Sequence, residues 1–188
     1  VSLKSFGKPL ILRIHPVCEF RCPKGRQPPI ELIHYLCSCK DKTTTPMQQR
    51  YIILDGPNLN RLGRREPSIY GVVSSQEMME RLQRDFPNIT IEYHQSNHEG
   101  VLIDLLQQFD DEKVSGIIFN AGAYTHTSLA LADAIRSLST PVIEVHLSNT
   151  AAREEYRHTS YIAPVVRGTI TGFGIHSYRL ALLAFLEE

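Results

Sequence analysis

Ile52-Ile53-Leu54-Asp55-Gly56-Pro57-Asn58-Leu59-Asn60, continuing as Arg61-Leu62-Gly63-Arg64-Arg65-Glu66-Pro67-Ser68-Ile69-Tyr70-Gly71, is the stretch around which the chain is organised. It opens as an apolar, β-branched run, the pattern of a strand buried on both faces. It breaks at Gly56-Pro57, a pair that ends strands and begins turns. The loop beyond crowds two asparagines, three arginines and a tyrosine into a segment with three glycines and a second proline. Arginines this close repel one another unless an anion or carboxylate lies between them. The loop therefore reads as a segment that handles an anionic small molecule.

From residue 50 onward, apolar strands alternate with amphipathic helices. The first strand is expected over residues 50–55. Ser74-Ser75-Gln76-Glu77 is a capping-box pattern, and Met78, Met79, Leu82 and Phe86 follow at helical spacing before Pro87. Residues 89–93 alternate as a second strand. Ser96-Asn97-His98-Glu99 repeats the box, with Val101, Leu102, Leu105, Leu106 and Phe109 as the expected buried stripe of a second helix. A third strand is expected over 114–119, and a helix over 127–136 with Leu129, Ala130, Ala134 and Ile135 inward. A fourth strand follows over 141–145, a short helix over 152–157, a fifth strand over 165–171 and a closing helix over 175–186. Five strands separated by helices imply a three-layer α/β/α, flavodoxin-like fold with a five-stranded parallel sheet, the default order being 2-1-3-4-5. Ligands of such sheets sit beyond the carboxyl ends of the strands, at the switch between strands one and three.

A length of 188 residues allows one domain with a tail or two small ones, and 42% hydrophobic residues is ordinary for a globular chain. No run approaches the ~18 apolar residues of a membrane span, so no membrane partner is expected. The charge is balanced overall but divided. Residues 1–46 hold eight Lys/Arg and three Asp/Glu, a net of +5, and residues 47–188 hold 12 and 17, a net of −5. A mildly acidic body argues against nucleic acid as a partner, since phosphate binding needs a concentrated basic face. All four cysteines, Cys18, Cys22, Cys37 and Cys39, fall in the first 46 residues. Their C-x3-C and C-x-C spacing matches the paired knuckles of zinc sites poorly, and no metal is expected. A body without cysteine needs no oxidising compartment, which fits the cytoplasm.

Residues 1–46 differ from the rest. They hold six of the eleven prolines and show no sustained period of 2 or 3.6. A disordered tail, a targeting segment and coding sequence not normally translated are the competing readings. The apolar patches are too short and too interrupted by charge for a secretory signal. Residues 1–46 are thus expected to be a disordered or extraneous N-terminal extension, with 47–188 as the catalytic domain.

The placement rule for parallel sheets collects the chemistry on one edge. Strand one ends at Gly56-Pro57-Asn58. Strand three ends at Asn120-Ala121-Gly122-Ala123, with Thr125-His126-Thr127-Ser128 following. Strand four ends at Glu144-Val145-His146-Leu147-Ser148-Asn149, with Arg153 nearby. Amides, imidazoles, a carboxylate and arginines arrive there from distant segments, while the opposite edge, at Arg50, Lys113 and Pro141, is bland. Each residue has a plainer reading on its own: His126 as a helix cap, Glu144 and His146 as an alternating surface pair, Arg153 and Arg157 as a solvated helical face, Asn120 as a turn residue, Tyr70 as a core aromatic. Convergence of all of them weighs against those readings. Proton abstraction beside a carbonyl needs a base, an enolate stabiliser and an acid for the leaving group, and this edge supplies candidates for each. A route through an imine needs a lysine, and from residue 47 onward the only one is Lys113, at the wrong edge.

In order and spacing, Gly56-Pro57-Asn58-Leu59-Asn60, Arg65-Glu66-Pro67-x-x-Tyr70-Gly71, Gln95-Ser96-Asn97, Asn120-Ala121-Gly122, His126-Thr127-Ser128, Glu144-Val145-His146-Leu147-Ser148-Asn149 and Arg153-Glu154-Glu155 resemble the type II 3-dehydroquinate dehydratases. The resemblance runs from about residue 50 to the end. It implies reversible loss of water from 3-dehydroquinate to 3-dehydroshikimate by anti elimination through an enolate, without cofactor, metal or Schiff base, in shikimate biosynthesis or quinate breakdown. By the same resemblance Tyr70 is the base, Arg65 the cation that makes it a phenolate, and Asn58 the residue that steadies the enolate oxygen. His146 is the acid for the departing hydroxyl, oriented by Glu144. Asn120, His126, Ser148, Arg153 and the amides of Leu147 and Ser148 grip the substrate, with Asp133 and Arg157 in support. The family resemblance also suggests a homododecamer, a tetramer of trimers. Two departures stand out: Asp55 where the family often has Asn, and Arg61 where an apolar residue is common. The competing reading, a flavodoxin-like nucleotide- or flavin-binding module, lacks the spaced glycines and the lysine of a phosphate loop.

Overall fold

The structure, a computed structural model, describes residues 11–15, 18–21, 49–63 and 73–187. The chain divides into two compact units, Val1–Met47 and Gln48–Glu188. In the first, β1 (Ile11–His15) pairs antiparallel with β2 (Cys18–Arg21), with a register shift between Arg13 and His15. The rest of residues 1–46, and with it the reading of that segment as a disordered or extraneous extension, lies outside the described residues.

The second unit is built on five parallel strands: β3 (Arg50–Asp55), β4 (Thr90–Gln95), β5 (Gly116–Asn120), β6 (Val142–His146) and β7 (Gly168–Thr171). Their order across the sheet is β4-β3-β5-β6-β7, the expected 2-1-3-4-5. Three helices connect them, α1 (Ser75–Asp85), α2 (Glu99–Asp111) and α3 (Leu129–Ser137), and a fourth, α4 (His176–Leu186), follows the last strand. Successive residues of β3 sort into two cores. Tyr51 and Ile53 pack with Met78 and Leu82 of α1 and with Ala181, Leu182 and Phe185 of α4. Ile52 and Leu54 pack with Leu102, Leu106 and Phe109 of α2 and with Leu131 and Ile135 of α3. Period-two alternation in a strand covered on both faces produces this division, and it is why the run reads as continuously apolar.

Local chemistry sets the helix boundaries. Ser74 caps α1 by accepting a hydrogen bond from the Glu77 amide at 3.2 Å, as the capping-box pattern requires. The second box does not form. Ser96 Oγ instead accepts from the His98 amide at 3.0 Å, a local turn, and His98 precedes α2 without a side-chain cap. Ser128 caps α3 from the Leu131 amide at 2.9 Å, so α3 starts two residues later than expected. Leu129 is then 63% exposed and Leu131, Ala132, Ala134 and Ile135 are buried, correcting the inward placement of Leu129 and Ala130. Val101 is likewise 44% exposed rather than part of the α2 stripe. The expected helix over 152–157 is two 3-10 turns, Thr150–Ala152 and Glu155–Arg157, broken where Arg153 becomes extended. The fifth strand begins only at Gly168, because Ala163–Val165, with Pro164 inside, forms another 3-10 turn.

The two edges of the sheet have different characters. At the amino edge, the Arg50 guanidinium holds Glu92 through two contacts of 2.6 and 2.9 Å and Glu112 at 2.6 Å, an internally neutralised surface cluster. At the carboxyl edge polar groups are buried: Asp55, Asn120, Glu144 and His146 are all under 9% exposed. Alternation assigns them to opposite faces. Asp55 and Asn120 turn toward α4, where they meet Tyr178, while Glu144 and His146 turn toward α3.

Among the described residues Asp55 has no cationic partner. Tyr178 donates to its Oδ1 at 2.7 Å and Tyr93 to its Oδ2 at 3.0 Å. Burial pushes its carboxyl up from 3.8 to about 7, against the opposing pull of those two hydroxyls. Because the folded value lies above the unfolded one, the stabilising effect of the folded state's tighter proton is fully present below about pH 4 and is lost as pH rises through 7. Asp55→Asn, which keeps the shape and removes the charge, should match the parent at pH 4 and exceed it by up to about 4 kcal/mol at pH 8. Urea unfolding at the two pH values measures the difference, and equal stability of the two proteins at pH 8 would contradict it.

Candidate active site

The turn leaving β3 brings the first and third strand ends into register. The Gly56 amide donates to the Asn120 carbonyl at 2.7 Å, and a Cβ on Gly56 would stand 2.5 Å from the Ala121 carbonyl oxygen. Only glycine permits that approach. Asn58 then adopts a left-handed conformation, φ 68°, which asparagine tolerates better than most residues. Its amide donates to Asn97 Oδ1 at 2.9 Å, and the Gln95 side chain donates to the same oxygen at 3.0 Å and to the Gly56 carbonyl at 3.1 Å. The Gln95-Ser96-Asn97 segment after β4 thus clamps the turn. Pro57 lacks an N–H and the Gly56, Asn58 and Leu59 amides are all engaged within the protein, so residues 56–59 offer no backbone amide to a phosphate.

On the other face, β6 delivers Glu144 and His146 two residues apart, on one side of the strand. Glu144 is fully buried and accepts hydrogen bonds from the Thr125 hydroxyl, from Ser160 Oγ at 3.0 and 3.2 Å to its two oxygens, and from Thr169 Oγ1 at 3.3 Å. His146 Nε2 lies 2.8 Å from Glu144 Oε1. Burial alone would raise the Glu144 carboxyl, but the His146 hydrogen bond and charge and the Thr125 and Ser160 hydroxyls outweigh it and hold the group below the ordinary glutamate range. A carboxylate only accepts, so the proton between the two belongs to Nε2. Nδ1 is left as the nitrogen that can take or release a proton.

The segment after β5 adds a second imidazole. His126 ends a 3-10 turn, Gly122–His126, and its Nδ1 donates to the Thr159 carbonyl at 2.7 Å. Its ring stacks near-parallel to that of His146, with centroids 6.3 Å apart and planes inclined by 17°. Asn120, at the end of β5, is held at both ends of its amide: Nδ2 donates to the Tyr178 hydroxyl at 3.0 Å, and Oδ1 accepts from the Gly122 amide at 3.3 Å.

These groups line a single cavity. Its walls include Asn58, Asn120, His126, His146, Leu147, Ser148 and Arg157 of the sequence-predicted residues, together with Arg61. Glu144 stands behind His146. Arg153 does not line the cavity; it lies against Glu154 at 3.3 Å, and its carbonyl accepts from His158 Nε2 at 3.0 Å. Arg157, which also contacts Glu154 at 2.9 Å, is the arginine that reaches the wall. Asp133 is exposed on α3, paired with Arg136 at 2.5 Å and away from the cavity. Arg65 and Tyr70 lie outside the described residues. Sequence reasoning missed Ser160 and Thr169, hydroxyls that reach Glu144 from distant loops, and gave Thr125 no role; no short-range pattern marks any of them. Among the described residues no group of three His, Cys, Asp or Glu is arranged to hold a metal ion.

Ser160 binds in two directions. It donates to Glu144, and its oxygen accepts from the amides of Ile162 at 3.1 Å and Ala163 at 2.8 Å. Ser160→Ala leaves two amides and a buried carboxylate short of partners. The variant should lose about 1–3 kcal/mol in denaturant unfolding, and a loss below about 0.5 kcal/mol would show that the cluster does not depend on it.

Comparison with known proteins agrees with this architecture. The family described as "Dehydroquinase class II" matches residues 49–186. A 3-dehydroquinate dehydratase of Rhizobium etli is 53% identical over 141 residues, covering 73% of this chain and 96% of that protein. One from Gloeothece citriformis is 53% identical over 142 residues, covering 74% and 93%. Among solved structures, the type II dehydroquinase of Butyrivibrio crossotus is similar with a TM-score of 0.72 and 41% identity, over 74% of this chain and 98% of that one. That of Propionibacterium acnes gives 0.72 and 39%, over 76% and 99%. A family match over residues 49–186, nearly all of the second unit, together with relatives 53% identical over almost their full length, leads to one conclusion: the chain belongs to the class II dehydroquinase family.

Proposed function

We propose that the chain catalyses the reversible dehydration of 3-dehydroquinate to 3-dehydroshikimate. The observation that carries this reading is the Glu144–His146 pair opening on a cavity that also presents Asn58, Asn120, His126 and Ser148, within a chain of this family. The reaction is an anti elimination through an enolate. A base, assigned to Tyr70 with Arg65 as its neighbouring cation, removes the proton from the carbon beside the ketone. The electron pair of that C–H bond becomes the enolate, whose oxygen is steadied from the Asn58 side. When the enolate collapses, the carbon–oxygen bond of the leaving hydroxyl breaks and His146 supplies the proton that releases it as water. Since Nε2 is committed to Glu144, the proton delivered comes from Nδ1.

Asn120 and His126 are assigned to the substrate's hydroxyls. Ser148, the amides of Leu147 and Ser148, and the wall-lining Arg157 are assigned to its carboxylate. No cofactor enters this scheme. An imine route would need a lysine, and Lys113, the only one after residue 46, follows α2 at the amino edge. A nucleotide- or flavin-binding module is disfavoured because the amides of the turn after β3 are already engaged.

The proposed domain division puts catalysis in residues 47–188 and makes residues 1–46 dispensable for it. A homododecamer, a tetramer of trimers, is the proposed assembly; the exposed Leu129, Tyr156, Tyr161 and Phe173 offer apolar surface for contacts between copies. A cytoplasmic location is proposed from the absence of cysteine after residue 46. No helix among the described residues is long and apolar enough to cross a membrane. The same step serves either shikimate biosynthesis or quinate breakdown.

Incubation with 3-dehydroquinate should produce the ultraviolet absorbance of the conjugated enone product, and absence of that absorbance would overturn the function. Borohydride added with substrate should leave the rate unchanged, because no imine forms; inactivation would restore the lysine route. His146→Asn and Tyr70→Phe should each lower kcat by about 10²- to 10⁴-fold with the fold intact by circular dichroism. Near-parental turnover in either would remove that residue from its role. Deletion of residues 1–46 should leave kcat unaltered.

A further inference from the structure

The elimination leaves unused a chain of buried polar groups on the face of the sheet opposite Glu144. Tyr93 of β4 donates to Asp55 Oδ2 at 3.0 Å. Tyr178 of α4, itself fully buried, donates to Asp55 Oδ1 at 2.7 Å, and the Asn120 amide nitrogen donates to the Tyr178 oxygen at 3.0 Å. The directions are dictated by the carboxylate. Ionised, it only accepts; protonated, it still accepts at the oxygen without the hydrogen, and with that hydrogen toward Tyr93 the Tyr178 hydroxyl again spends its single proton on Asp55. What Tyr178 then offers Asn120 is a lone pair. That forces the amide nitrogen of Asn120 toward Tyr178 and its oxygen toward the Gly122 amide, 3.3 Å away. The reversed amide would set two acceptors against each other at Tyr178 and two donors against each other at Gly122, each a buried polar group without a partner.

An amide nitrogen carries two hydrogens. One is taken by Tyr178, and Asn120 lines the cavity. We infer that Asp55 and Tyr178 are positioning residues that fix the amide of Asn120, so that it offers the substrate an N–H donor for an acceptor oxygen and never its carbonyl. This inference rests on the proposed reading of Asn120 as a substrate contact. It also gives a reason for the carboxylate at position 55. An acceptor is required on the Tyr178 side, whereas the Tyr93 side is indifferent, because the Tyr93 hydroxyl can turn to donate or accept. Asn at position 55 meets the same requirement with its oxygen toward Tyr178 and its nitrogen toward Tyr93. An apolar residue there does not.

Steady-state kinetics of the full chain with 3-dehydroquinate test the relay. Tyr178→Phe and Asp55→Leu should raise KM about tenfold while kcat stays within about twofold, the pattern of a lost binding contact. Asp55→Asn should restore a KM within about twofold of the parent. In a double-mutant cycle, Tyr178→Phe should add less than about twofold to the KM of Asn120→Ala, because its effect passes through that amide. If Asp55→Leu does not fold, Tyr178→Phe and Asp55→Asn carry the test. A parental KM in Tyr178→Phe, or independent multiplication of the two effects in the cycle, overturns the relay while leaving Asn120 as a contact. A parental KM in Asn120→Ala overturns the substrate reading on which the relay stands.

Discussion

The 2.7 Å hydrogen bond from the Gly56 amide to the Asn120 carbonyl is the constraint on which the site depends. It locks the ends of β3 and β5 together at the point where the sheet's winding reverses, and it is possible only because residue 56 has no side chain. With those two ends fixed, Asn58 and Asn120 have fixed separations from each other. The clamp from Gln95 and Asn97 then removes the remaining freedom of the turn. A loop made this rigid contrasts with the usual role of surface connections, which vary and move. Here the backbone itself is the scaffold, and preorganisation of this kind spares the reaction the cost of ordering its groups.

The two faces of the carboxyl edge solve one electrostatic problem in opposite ways. Each buries a carboxylate. Toward α3, Glu144 is surrounded by three hydroxyls and an imidazole, which hold its carboxyl below the ordinary glutamate range. Toward α4, Asp55 has two tyrosine hydroxyls and, among the described residues, no cation, and burial disfavours its charge. Number of donors and presence of a countercharge, rather than depth alone, separate the two outcomes. Asp55 and Glu144 both nonetheless present acceptor oxygens to their neighbours, which is the property each position needs.

Much of this was legible in the residues. Period-two apolar runs and the capping serine at position 74 locate the strands and α1, and the parallel-sheet rule alone collects Asn58, Asn120, His126, His146 and Ser148 on one edge. What escaped has common causes. Ser96 and Ser128 are both helix-capping types, but which one caps depends on whether its oxygen finds an amide two or three residues on, a matter of loop geometry. The start of α3 after Ser128 leaves Leu129 and Ala130 exposed in its first turn, while Ala134 and Ile135 are buried as expected. The hydroxyl cage of Glu144 is assembled from Thr125, Ser160 and Thr169, whose separations from it of 16 to 25 residues leave no periodic trace. Arg153 and Arg157 are chemically equivalent in sequence, and only the extended backbone at Arg153 decides which reaches the cavity.

The closing helix has a consequence for how the protein is made. Tyr178 reaches Asp55 across 123 positions of chain, and Phe185 sits against Gly116 so closely that a Cβ there would lie 2.8 Å from its ring. β3 with its buried acid and β5 are therefore sealed by a helix far from both in the chain. Until α4 docks, the part of this face that α1 leaves bare is open and the Asn120 amide lacks the Tyr178 oxygen, so the strands can pair before the active face is finished. Completion of the site thus waits on contacts of high sequence separation, which are slow to form and leave apolar surface exposed meanwhile.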